Sequence, residues 1–79
     1  MSPTLFRERG YRFFFFSREE SRIHVHVNHA NGEAKFWLEP EVALAQNYGL
    51  SQNALNEVEA MVRLHEKEIR DGWQHHFSN

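Results

Sequence analysis

Ile23-His24-Val25-His26-Val27 alternates strictly between β-branched aliphatic and imidazole side chains. Two residues is the period of a strand, because successive Cβ atoms leave opposite faces of a pleated backbone. Ile23, Val25 and Val27 therefore point one way, and His24, His26 and Asn28 the other. Downstream, Ala30-Asn31-Gly32-Glu33 carries an Asn-Gly pair that tolerates positive φ. It predicts a hairpin into Ala34-Lys35-Phe36-Trp37-Leu38, with Pro40 ending that strand or marking an edge. Upstream, Thr4-Leu5-Phe6-Arg7 and Tyr11-Arg12-Phe13-Phe14-Phe15-Phe16-Ser17 are two more β-prone runs. Glu8-Arg9-Gly10 between them suits a hairpin with a left-handed residue, and the polar run Arg18-Glu19-Glu20-Ser21-Arg22 reads as a loop.

Residues 42–48 read as a short edge strand, although Ala and Leu there favour helix. Gly49 punctuates it, and Ser51 is placed to cap a helix running from Gln52 to about residue 70. Leu55, Val58, Val62, His65 and Ile69 recur at spacings of three and four, which forms one buried stripe with Met61 on its flank. Glu59 with Arg63, and Glu66 with Arg70, are acid-then-base pairs four apart on the solvated side. Gly72 weakens the helix near its end by about 1 kcal/mol relative to Ala, and Asp71 could recap a final turn bearing Trp73 and Phe77. The expected fold class is α+β: a four- or five-stranded, mainly antiparallel meander with one long C-terminal helix on one face, residues 1–79 forming a single domain.

Composition narrows the chemistry. At 79 residues the chain has no material for a second core, and 41% hydrophobic with 25% charged residues is a globular composition. Nine Lys and Arg against eleven Asp and Glu leave a net charge of −2, so no overall basic field draws nucleic acid. Protonating all six His would turn that into +4, which makes the charge unusually sensitive to pH near 6.5. The absence of Cys excludes disulfides, thiolate metal sites and Cys nucleophiles. No apolar signal run opens the chain and no stretch approaches a membrane span, so a cytoplasmic protein without membrane contact is expected.

Strand parity then defines a candidate surface. Phe36 and Leu38 join the aliphatic side facing the helix stripe, while Lys35, Trp37 and Glu39 join the histidines. Four successive Phe in the second strand must place two on each side, either Phe13 with Phe15 or Phe14 with Phe16 on the polar one. One helix covers only one sheet face, so the other is a mixed aromatic and imidazole surface open to a partner. The candidate binding surface is Arg12, Phe14, Phe16, Lys35 and Trp37, and the candidate catalytic residues are His24 and His26.

Thr4-Leu5-Phe6-Arg7, Gly10-Tyr11-Arg12-Phe13-Phe14-Phe15-Phe16-Ser17, His24-Val25-His26-Val27, Ala34-Lys35-Phe36-Trp37-Leu38-Glu39-Pro40 and Trp73 with Phe77 resemble a family of small bacterial proteins. The chain is similar to domain-of-unknown-function family 4160 over residues 3–77. Similar proteins often carry Pro-Pro where this chain has Ser21-Arg22. The resemblance implies little chemistry. It does imply a setting, since such proteins are often encoded beside another small protein, an arrangement like that of toxin–antitoxin pairs.

Two functional readings follow. In the first, the double-faced sheet makes the chain a protein-interaction component of a two-protein, toxin–antitoxin-like module, binding its co-encoded neighbour or itself. In the second, it binds nucleic acid or cleaves RNA without metal, with His24 or His26 as general base and Lys35 or an Arg of the first hairpin holding phosphate. Five Arg against three Glu make residues 1–22 net +2, and rings beside Arg can stack bases. Two imidazoles two residues apart on a strand could share a metal if His29 or Glu39 supplied a third ligand, but no metal or cofactor is assigned. Nothing has the specificity of a full catalytic triad, and whether the chain is an enzyme stays open.

Overall fold

The computed structural model describes residues 4–16 and 21–77. The expected Ser17 end of the second strand and the Arg18-Glu19-Glu20 part of the polar loop lie outside the described residues. Five strands, β1 (Thr4–Glu8), β2 (Tyr11–Phe14), β3 (His24–His29), β4 (Gly32–Trp37) and β5 (Ala43–Tyr48), pair antiparallel in chain order. The meander is complete, and residues 43–48 are its edge strand rather than a helix.

The two tight hairpins are built differently. Arg9 (φ 53°) and Gly10 (φ 83°) both turn left-handed between β1 and β2, the two-residue geometry whose twist matches that of the strands. In the second hairpin the Asn-Gly pair does not occupy the loop as expected. Ala30 and Asn31 make the turn, and Gly32 already opens β4, paired with His29 and outside the left-handed region. Glycine is needed there for space, because a Cβ on Gly32 would overlap the Tyr48 carbonyl oxygen where β5 passes.

The expected single long helix is instead two, α1 (Gln52–Leu64) and α2 (Glu66–Phe77), joined at His65. Ser51 caps α1, its hydroxyl accepting from the Ala54 N–H at 3.1 Å. A straight helix over this span would be about 39 Å long at 1.5 Å per residue, while a six-residue strand covers about 20 Å. The greatest extent of the whole molecule is 37 Å, so bending at His65 keeps the second half against the sheet. Helical hydrogen bonds pass through the bend, from His65 N–H to Met61 O and from Ile69 N–H to His65 O, both 2.9 Å. Gly72 does not end the helix and Asp71 does not recap it, for α2 continues to Phe77. At Gly72 an added Cβ would sit 2.5 Å from Leu5 Cδ2, so the missing side chain lets α2 settle onto β1.

Leu55, Val58, Met61, Val62, Ile69 and Trp73 of the helices close over Phe13, Phe15, Val25, Val27, Phe36 and Leu38 to form the core. The parity of the four Phe is thereby settled: Phe13 and Phe15 lie inside, Phe14 and Phe16 on the opposite face. Among the described residues no helix is long and apolar enough to cross a membrane.

Candidate functional site

Strand register assembles the face away from the helices. Phe14 lies opposite His26, His26 opposite Lys35, and His24 opposite Trp37. Their rings interlock, mostly edge to face. Phe14 meets Phe16 at 5.3 Å and 90°, Phe16 meets His26 at 4.4 Å and 65°, His26 meets His24 at 5.1 Å and 84°, and His24 meets Trp37 at 5.6 Å and 83°. Such perpendicular contacts set the positive edge of one ring on the negative face of the next. Cations lie over the flat faces that remain: Arg12 is 4.4 Å from the Phe14 centroid, Arg22 4.1 Å and Lys35 4.5 Å from that of Trp37.

Arg12 and Arg22 are also held through their polar atoms. Arg12 Nε donates to Thr4 Oγ1 at 2.6 Å, and Arg22 Nε donates to the Glu39 carbonyl at 2.8 Å. Along the paired rows of this face, Arg7, Arg12 and Lys35 stand with Glu33 as the one carboxylate among the described residues, and Arg22 adds a further positive charge at the end of β3. The helices hold the compensating charge, five carboxylates against three Lys and Arg in residues 52–77. A chain of net −2 is thus split into a cationic sheet face and an acidic helical side.

The structure brings Arg12, Phe14, Phe16, Lys35 and Trp37 together, but their exposure differs. Phe16 is 42% exposed, whereas Phe14 is only 5% exposed beneath Arg12 and Phe16. His26 is half-buried between Phe14 and Phe16. His24, expected on an open surface, is 0% exposed. It begins β3 at the end of the sheet, where Trp73 of α2 reaches both Phe15 (5.4 Å) and His24 (5.0 Å) and seals the imidazole in. Its Nδ1–H donates to the Arg22 carbonyl at 2.7 Å, an assignment forced by the carbonyl, which can only accept.

Glu39 leaves the face it was expected to join. It follows the end of β4 and turns to α2, where its carboxylate meets Arg70 at 3.2 Å. His29 lies at the far end of β3, its Nδ1 accepting from the Asn31 N–H while its ring packs on Tyr11. Neither suggested third ligand is beside the His pair. Among the described residues no three His, Asp or Glu side chains cluster to hold a metal ion.

Two features escaped the sequence reading. The sequence reading places Arg22 in the polar loop and in the charge count, yet the pairing of His24 with Trp37 puts the residue two before His24 beside that indole; hairpin register is the signal. The second is His65, read as part of the apolar stripe. Its Nε2 lies 2.8 Å from Glu8 and its Nδ1 3.0 Å from Glu68, and its ring packs on Phe6 at 4.4 Å. The hydrogen bond to Glu8 raises the pKa of His65 above its ordinary value; partial burial opposes this and Glu68 adds to it.

No curated protein and no solved structure matches the chain. A family model, domain of unknown function DUF4160, matches residues 10–74, spanning β2 through α2 to just past Trp73. Since that match takes in every strand but β1 together with α1 and α2 as far as residue 74, the rings and cations from Arg12 to Trp37 lie within the matched stretch, and the chain belongs to the DUF4160 family.

Proposed function

We propose that the protein is a cytoplasmic recognition component of a two-protein, toxin–antitoxin-like module, and that the sheet face bearing Arg12, Phe14, Phe16, Lys35 and Trp37 docks an acidic surface of its small co-encoded partner. The observation that carries this reading is the interlocked ring network under Arg12, Arg22 and Lys35, on a face whose paired rows hold Glu33 as the one carboxylate among the described residues. Phe, Trp and Arg are the side chains that anchor interfaces, because they combine large contact area with fixed geometry. A network already packed in this way loses little freedom on binding.

Nucleic acid is the second reading, favoured by the positive charge of the same face. Ring geometry weighs against it. Base stacking needs open flat faces, whereas those of Phe14 and Trp37 carry cations, His26 stacks on Phe14, and the remaining ring contacts are edge to face. Cleavage by the His pair is disfavoured further by the enclosure of His24, since a general base must reach the proton it removes.

Light scattering after size exclusion, with the product of the neighbouring gene, tests the proposal. Co-elution should occur for the wild type, weaken as salt rises, and be lost in Trp37→Ala and in the double variant Arg12→Glu, Lys35→Glu. Co-elution untouched by those changes would move the interface elsewhere. If instead a fluorescent twelve-nucleotide RNA binds in a salt-dependent way and the neighbour does not, the second reading replaces the first.

A further inference from the structure

The two edges of the sheet are unlike. β1 carries Arg7 and Glu8, charges that discourage pairing with another strand. β5, Ala-Leu-Ala-Gln-Asn-Tyr, passes over Ala45 in its register with β4, as β1 passes over Leu5 with β2, but it has no charge and no Pro along six residues, five of them exposed. Two of the four large apolar side chains exposed among the described residues, Leu44 (45%) and Tyr48 (64%), lie on this one strand. Natural edges this long are ordinarily blunted by Lys, Pro, a covering loop or a twist.

We infer that β5 pairs antiparallel with β5 of a second copy, joining two five-stranded sheets into a ten-stranded one. A strand meeting its own twofold mate brings each residue against a fixed partner of the same sequence, so any charge in it risks facing its like. β5 alone satisfies that condition: its uncharged sequence repels in no register, while offering a different protein no charge by which to be selected. Leu44 and Tyr48 supply apolar contact beside the backbone hydrogen bonds. Both helix layers fall on the same side of the joined sheet, so the two cationic faces become one continuous surface. This inference stands apart from the identity of the partner docked there.

Sedimentation equilibrium of the purified chain from 5 to 200 µM is the test. The weight-average mass should rise toward twice that of the 9.4 kDa monomer, and the double variant Leu44→Lys, Tyr48→Lys should remain monomeric with an unchanged far-ultraviolet dichroism spectrum. Amide exchange on the wild type provides a check that needs no variant: protection of residues 43–48 should grow with concentration. A monomer throughout the range, or a dimer whose β5 amides exchange as freely as when dilute, overturns the inference.

Discussion

His65 stands where α1 meets α2 and tethers that junction to β1. Carboxylates accept hydrogen bonds but cannot donate when ionised, so a ring facing Glu8 and Glu68 satisfies both only as the imidazolium, with each N–H donating. Protonation is therefore favoured by folding, and the folded pKa lies above the unfolded value near 6.5. The linkage sign follows: the stabilisation is complete below the unfolded pKa and is lost as pH rises through the folded one. Groups packed on the ring are Glu8 and Phe6 from β1 and Glu68 from α2. Melting curves across pH 5 to 9 should show the wild type losing stability relative to His65→Gln as pH rises above the unfolded value near 6.5. Parallel profiles for the two proteins would mean that the ring is neutral in the fold.

At the scale of elements, two glycines predicted from sequence as conformational devices act through space, with different consequences. Gly32→Ala forces the fixed Tyr48 carbonyl away and pries β4 from β5, so urea unfolding should show a loss of about 2–3 kcal/mol. Gly72→Ala gains about 1 kcal/mol of helix propensity and displaces only the Leu5 methyl, which can rotate, so its net effect should stay within about 1 kcal/mol. Equal losses in both would show that α2 cannot yield at Leu5. The sequence made β3 and its partners legible because alternation is local: Val25 and Val27 inward, His26 and Trp37 outward, follow from parity alone. The bend at His65 and the sealing of His24 were not legible. The sealing of His24 depends on Trp73, far along the chain, and the bend leaves no mark because helical periodicity continues through position 65 without a break.

Across the whole molecule, the arrangement of charge matters more than its sum. A net −2 and a sequence pI of about 6.3 suggest indifference to anionic surfaces, yet the ion pairs of α1 and α2 spend their acids locally, Glu59 with Arg63, Glu66 with Arg70 and Asp71 with Lys67. Exposed pairs of this kind add little stability but cancel field at short range. Within a Debye length of the surface, about 8 Å at physiological salt, the field over the sheet face is then set by Arg7, Arg12, Arg22 and Lys35 around Glu33. At pH 7.5 and low salt, above its pI, the protein should still be retained on a sulfonate cation exchanger. Lys35→Glu should reduce that retention much more than Lys67→Glu, although each substitution changes the net charge by the same amount. Matching elution of the two variants would mean that the column senses total charge, and that the cationic face is too weak to orient an acidic partner.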